Sequence, residues 1–318
     1  MYSSRVLVMM AWLVVVLLAV MASPALAGHF LLWLPLSSKS MKIGVMACGE
    51  ELARRGHQVT VVSAWPGGAV QSGITDINIP SEWPKLEQQI TEDLLVGGRG
   101  LASPMQRGLE VSITDNKAAL TSPALWDLLA NNPVDVVVTF PVFGNEAAYY
   151  LAHRQNASLA LFITGMVTLP WAAWATGDTF HPAYMPLGFT TYSQEMTFPQ
   201  RLFNTLATVA VKFVVRDLIV VPRVEAMLSE VFPEEEIPSL HTLARAAALT
   251  INHGSPFLGD GLRPVMPQTV LAGLMTCRPR ASLPGLPPDL AEWVETAPNG
   301  VIFVSFGSVI KASKENNK

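Results

Sequence analysis

Charge is scarce in this sequence. Asp, Glu, Lys and Arg make up 14% of its 318 residues, with 21 cations against 25 carboxylates and a net charge of −4; soluble domains usually carry about a quarter. No basic stripe is available to neutralise phosphates, which argues against a nucleic-acid partner. Two cysteines, Cys48 and Cys277, are too few for a disulfide framework or a zinc site. There is no Walker-type loop, no metal-ligand spacing, and no internal repeat of the kind that builds solenoids. What is abundant is apolar surface. Half of the residues are hydrophobic and the mean hydropathy is +0.34, which excludes a disordered chain.

Part of that hydrophobicity sits at the start. Arg5 precedes the uncharged run Val6–Ala22, and Ala25-Leu26-Ala27 follows. A basic start, an apolar centre and a small-x-small exit read as a secretory signal peptide over residues 1–27; the alternative is an uncleaved signal anchor. The next apolar run, Leu202–Val221, contains Asn204, Lys212, Arg216 and Asp217. Charges at the centre of a span are costly, so this run is expected to form an amphipathic helix, packed on the protein or lying on a membrane surface. The last residues, Lys311–Lys318, are polar, and no C-terminal membrane anchor is expected in this chain. Asn156-Ala157-Ser158 is an N-x-S/T triplet. In a secretory chain it is a glycosylation acceptor; otherwise it is an unused sequon.

The segments after residue 28 alternate strand and helix. His29–Pro35 reads as a buried strand, Met41–Arg55 as a helix with Val45, Cys48 and Leu52 on one face, and Gln58–Ala64 as a β-branched strand. Ser40 is the expected N-cap and Gly56 the left-handed residue after the helix. Strand, helix and strand in about 36 residues form a βαβ unit with a right-handed crossover. The alternation returns with a strand over Val134–Thr139, a helix over Asn145–Arg154, and strands over Leu159–Ile163, Ala247–Asn252 and Val301–Ser305. A helical, aromatic-rich stretch lies between, from Leu169 to about Leu240. The expected organisation is an α/β domain over residues 28–282, a Pro-rich linker over 283–299, and the opening strand of a second domain over 300–318. Open parallel sheets bind ligands beyond the carboxyl ends of their strands. That directs attention to the turns Leu36–Met41, Thr139–Asn145 and Phe306–Ser308.

Several stretches resemble the membrane-associated animal UDP-glycosyltransferases, which include the glucuronosyltransferases. Glu50–Val62 (EELARRGHQVTVV) is similar to the family's first helix and second strand. His181–Asn204 (HPAYMPLGFTTYSQEMTFPQRLFN) resembles a longer family segment, and no generic fold requires it. Leu249–His253 (LTINH), Leu283–Trp293 (LPGLPPDLAEW) and Gly300–Ser308 (GVIFVSFGS) complete the likeness. It implies a GT-B glycosyltransferase, of which this chain carries the N-terminal Rossmann-like domain with its parallel sheet and the first strand of a truncated second domain. It also implies transfer of a hexosyl group from a UDP-sugar to the hydroxyl of a lipophilic acceptor, in the lumen of the endoplasmic reticulum or along the secretory route. No metal and no bound cofactor are implied, since the UDP-sugar is a co-substrate.

The same resemblance marks two departures. The family's base is a His in a Ser-His pair sixteen residues before the His of R-G-H, and here the pair reads Ser40-Met41. Its carboxylate partner lies five residues after the Asp that opens a later strand; counting from Asp135 gives Phe140. Neither Met nor Phe takes a proton. His57 and His29 are expected at the wrong end of the sheet. Glu146 is the nearest titratable side chain, either as a base or as a carboxylate favouring a helix start. Met41, Phe140, Phe143, Trp171 and Trp174 are the expected acceptor-lining residues. The wider aromatic group, Phe180, Tyr184, Phe189, Tyr192 and Phe198, reads as pocket wall or as core. Gly307 and Ser308 are the expected donor-binding residues, on a turn that either approaches phosphate or merely links strand to helix. The expected reading is therefore a family member incompetent alone. The alternative is a non-enzymatic protein that binds lipophilic ligands or associates with full-length relatives.

Overall fold

The computed structural model of the chain describes residues 27–67, 72–87, 89, 102–164, 170, 173, 177, 178, 180–188, 190–254, 265–273, 275–277 and 285–305. Its centre is a seven-stranded sheet, parallel throughout. The strands are β1 (His29–Leu34), β2 (Gln58–Ser63), β3 (Ile74–Asn78), β4 (Val136–Thr139), β5 (Ser158–Thr164), β6 (Ala247–His253) and β7 (Thr269–Leu271), in the order β3-β2-β1-β4-β5-β6-β7. The order runs outward in both directions from β1 and β4, so the topological switch point lies between them. That is where a doubly wound sheet opens its ligand crevice.

The inner strands are apolar on both faces because both faces are covered. Leu31, Trp33, Val137, Leu159 and Leu161 project to one side, with helices α2 (Ala102–Leu120), α3 (Pro123–Asn131) and α4 (Ala147–Arg154) contributing to the same core. Leu32, Leu34, Val59, Val61, Val138, Ala160 and Phe162 project to the other, against α1 (Lys39–Arg54). The strand period of two separates the two cores. Helix α1 presses close to its sheet at Gly49, where a Cβ would stand 2.9 Å from Leu32 Cδ1 and 3.3 Å from Val59 Cγ1.

A long helical run follows β5. Helix α5 (Phe198–Ala210) continues without a break into a π-helical segment (Val211–Val220) and then α6 (Val221–Val231). Thr197 and Gln200 form a capping box at its start. A short helix, α7 (Leu240–Ala244), leads into β6, and α8 (Pro288–Glu295) lies near the end of the described chain.

The structure amends the sequence reading in several places. The N-cap of α1 is Ser38, not Ser40; its side chain accepts from Met41 N at 3.0 Å. The expected linker over 283–299 contains α8, a helix with no buried residue. Val301–Ser305, expected as a strand, is not one: Ile302 and Phe303 are about 90% exposed, and no strand of the sheet pairs with the segment. A β-branched run becomes a strand only where a partner satisfies its backbone groups. The expected signal peptide lies outside the described residues, apart from Ala27. Among the described residues, no helix is long and apolar enough to cross a membrane.

A strained stretch of backbone lies just past β4. Phe143 has φ +38° and Gly144 φ +117°. A Cβ on Gly144 would stand 2.5 Å from Ser112 Oγ. Gly144→Ala therefore combines a disfavoured dihedral with overpacking and is expected to cost about 2–4 kcal/mol in urea or thermal denaturation. Gly285→Ala, with ordinary φ and open space around it, is the control and is expected to change stability by less than about 0.5 kcal/mol.

Candidate functional site

Two loops meet at the switch point. One follows β1 and enters α1; the other follows β4 and enters α4. A buried amide joins them. Asn145 Nδ2 donates to Leu36 O at 2.8 Å, and Leu36 N donates to Asn145 Oδ1 at 3.1 Å. Asn116, on α2, supports the joint: its Oδ1 accepts from Trp33 Nε1 at 2.8 Å, and its Nδ2 donates to Ser112 O at 2.9 Å. Thr139 Oγ1 donates to Trp33 O across the β1–β4 pair at 3.1 Å. Asn116, Thr139 and Asn145 are fully buried. Buried polar groups satisfied this completely hold their backbone in one geometry.

Met41 lies in the first turn of α1 and Phe140 directly after β4. Both pack into the core between α1 and the sheet. They share that core with Phe162 and with the half-buried Met46 and Ile251. Lys42, one residue on, turns aside: its ammonium donates to Asp76 at 2.8 Å and to Trp65 O at 2.7 Å.

Phe143 lies on the other side. The turn at Phe143–Gly144 carries it to the opposite core, where it lines an apolar cavity of about 280 Å³ with Leu109, Val215, Ile219 and Val220, and with Gln106 and Arg223. The structure thus brings Met41 and Phe140 together and separates Phe143 from them. Trp171, Trp174, Gly307 and Ser308 lie outside the described residues. Of the wider aromatic group, Phe180 is core, beside Met185 and Leu187, and Phe198 projects outward. Tyr184 stacks on His181 with ring centres 5.3 Å apart, and Tyr192 meets Phe203 edge-on at 6.2 Å. The described members do not make one wall. Phe189 lies outside the described residues.

Glu146 is buried and faces the Phe143 side, next to Arg216. Burial pushes its carboxyl above the usual range, while the amide of Gly144, donating at 2.6 Å, and the Arg216 charge oppose that. Arg216 in turn donates to Asp217 at 2.8 Å and to His241 Nδ1 at 3.0 Å. Glu146 therefore belongs to an internal polar group and has no access to the Met41–Phe140 side. His29 and His57 sit at the opposite, amino-terminal end of the strands. His29 bridges Asn132 O at 3.0 Å and Thr60 Oγ1 at 2.8 Å, and His57 Nδ1 accepts from Gly28 N at 3.1 Å. Asn156 is exposed with φ +52°, a conformation Asn tolerates better than most residues.

His253, which the sequence spacing did not single out, ends β6 opposite Thr164. Its ring meets Phe162 edge-on at 6.1 Å, so it shares the sheet face of Met41 and Phe140. Its Nδ1 stands 3.5 Å from where a Cβ of Gly44 would be, one helical turn after Met41. That nitrogen is buried and, among the described residues, has no hydrogen-bond partner. Desolvation holds the imidazole below its usual pKa, which favours the neutral ring. The available signal was a histidine at the carboxyl end of a parallel strand. Among the described residues, no cluster of three metal-ligating side chains occurs.

The profile of the family described as UDP-glucoronosyl and UDP-glucosyl transferase matches residues 29–318. UDP-glucosyltransferase 2 of Dactylopius coccus is 23% identical over 96% of this chain and 58% of its own length. UDP-glucuronosyltransferase 2B33 of Macaca mulatta is 24% identical over 91% of this chain and 56% of its own length. The chain thus spans a little over half the length of the curated relatives it matches. Among solved structures, a UDP-glucosyltransferase from Polygonum tinctorium superposes with a TM-score of 0.48 at 11% identity, covering 86% of this chain and 58% of the other. With the family profile covering nearly all of its length, the chain belongs to the UDP-glucuronosyl and UDP-glucosyl transferase family.

Proposed function

We propose that this chain carries the acceptor-binding part of a UDP-glycosyltransferase that handles lipophilic hydroxyl compounds in the secretory pathway. In this reading it enters that pathway behind residues 1–27, with Asn156 exposed for glycosylation and Gly307 and Ser308 facing the phosphates of the UDP-sugar. The chain alone is catalytically incompetent. One observation carries the proposal: at the switch point, where the family resemblance puts a proton-accepting pair, the structure packs Met41 and Phe140 into one apolar core. An attacking hydroxyl must lose its proton, and a positioned base contributes about 10²–10⁴-fold to such a step. Neither side chain supplies it.

The second reading is a non-enzymatic binder of lipophilic ligands or a partner of full-length relatives. The same apolar pair favours it, because neither side chain takes a proton. Purified 318-residue chain, given a lipophilic phenol and a UDP-sugar, is expected to bind the phenol by fluorescence titration and to yield no glycoside by mass spectrometry. A UDP-sugar-dependent product would refute the claim of incompetence. Absence of phenol binding would remove the acceptor-binding reading and the ligand-binder form of the second, leaving only association with full-length relatives.

Incompetence is proposed for the chain alone; in a fusion that does turn over, His253 is the base we nominate. In a fusion that places a relative's C-terminal domain after Ser308, His253→Gln is expected to lower turnover by about 10²-fold or more. The ring accepts a proton only when neutral. The fusion's rate is therefore expected to hold at neutral pH and to fall only in acid, below the usual histidine range, as His253 is protonated. If turnover instead requires Met41→His with Phe140→Asp and ignores His253, the nomination fails.

A further inference from the structure

The helical run Phe198–Ala210 and Val211–Val220 turns an exposed apolar stripe of Leu202, Leu206, Phe213 and Leu218 outward. Its inward side closes the apolar cavity of about 280 Å³ behind Phe143. The helix type shapes that wall. Val215 and Val220 both line the cavity, five residues apart. In an α-helix that spacing would turn them about 140° from each other. In the π-helical segment, whose hydrogen bonds run i to i+5, they come onto one face. Ile219 lies beside them. Arg223 follows Val220 by one turn of α6 and reaches the same cavity. Leu109 from α2 and Phe143 complete the apolar lining. Leu109, Phe143, Val215 and Val220 belong to the core on the far side of the sheet from Met41 and Phe140.

Size and charge identify the occupant. An enclosed apolar space of about 150 Å³ takes one benzene ring, so this cavity has room for about two fused rings. Its lining is apolar except for Gln106 and Arg223. Gln106 is engaged, its Nε2 donating to Glu110 at 2.9 Å. Arg223 is exposed, and among the described residues its guanidinium joins no ion pair, whereas Lys117 on α2 and Arg154 on α4 are paired with Glu230 and Glu235. Glu146 lines only a smaller recess of about 10 Å³ that adjoins the cavity at Phe143, Val215 and Val220. A recess of that size holds about one water, so a ligand in the larger space stays clear of the Glu146 carboxyl. An apolar chamber with one unpaired guanidinium selects a molecule with an apolar body and an oxyanion at one end. The planar guanidinium matches a carboxylate through two parallel hydrogen bonds. We propose that this cavity binds a carboxylate with an apolar body of about two fused rings, the body against Leu109, Phe143 and Val215 and the carboxylate on Arg223. The site is distinct from the switch-point crevice, and it requires nothing of the transferase reading.

The test is equilibrium dialysis of the purified chain with 2-naphthoate and with methyl 2-naphthoate, its neutral ester. Neither carries a hydroxyl, so acceptor chemistry does not enter. The titrations are repeated on Arg223→Gln, Ile219→Trp and Met41→Trp variants, with unchanged circular dichroism verifying folding. The wild type is expected to bind the carboxylate tighter than the ester by about tenfold or more. Arg223→Gln is expected to remove that preference and leave the affinity for the ester unchanged. Ile219→Trp fills the cavity and is expected to abolish binding of both, whereas Met41→Trp leaves both unchanged. A wild type that binds neither ligand, or both equally, overturns the proposal, as does a preference that persists in Arg223→Gln. Binding lost in Met41→Trp and kept in Ile219→Trp assigns the ligand to the crevice side of the sheet and overturns it as well. Should Ile219→Trp not fold, the Arg223→Gln and Met41→Trp titrations decide between the same outcomes.

Discussion

The Asn145 amide fixes the distance between the two loops on which any chemistry at the switch point depends. It exchanges two hydrogen bonds with the backbone of Leu36, across a gap of 109 residues in sequence. Each bond adds only about 0.5–1.5 kcal/mol net, yet leaving either backbone group of Leu36 unmet would cost more. The constraint continues inward through Asn116 to the Trp33 indole, and so to β1 itself. Met41 and Phe140 hold a defined relation because the backbones that carry them are clamped, whatever side chains those positions hold.

The parallel strands at the centre were legible because burial on both faces writes a continuous β-branched run. Strands β1, β2, β4, β5 and β6 lie within two residues of their expected limits. Strand β3, Ile-Thr-Asp-Ile-Asn, was not legible, since as an edge strand it is half exposed and carries only two apolar residues. Helix α2 escaped for a related reason: it buries Ser112, Asp115 and Asn116 alongside Leu109, Ala119 and Leu120, so its inward face is not a clean apolar stripe. Three serines near the start of α1 were chemically able to cap it. The choice of Ser38 depends on where the backbone turns, which composition does not encode. Val301–Ser305 shows the converse, a strand-like run with no partner in the sheet.

The candidate site was legible to the level of the loop but not of the face. Spacing placed Phe140 and Phe143 on the same turn. Which core each enters is set by the positive φ at Phe143 and Gly144, and this three-residue reversal sends them to opposite sides of the sheet. Glu146 follows Phe143, not Phe140, and is drawn toward Arg216. His253 reached the Met41 side by a route no local spacing describes: β6 is remote in sequence and adjacent in space.

The run from Phe198 to Val220 presents the same problem in another form. A periodicity reading identifies an amphipathic helix but not which side faces inward. Here the inward side is fixed by hydrogen bonds that only polar residues can make, to Pro182, Met185 and Leu187. Rotating the helix to bury Leu206 and Leu218 would strand the carbonyls of Pro182 and Met185 and turn the Arg216 guanidinium away from His241. Unmet buried groups cost about 1–3 kcal/mol each, so the apolar face is held outward by the polar one. The exposed stripe is thus a consequence of how this helix is anchored to the domain, and the same anchoring gives it a fixed direction relative to the switch-point crevice.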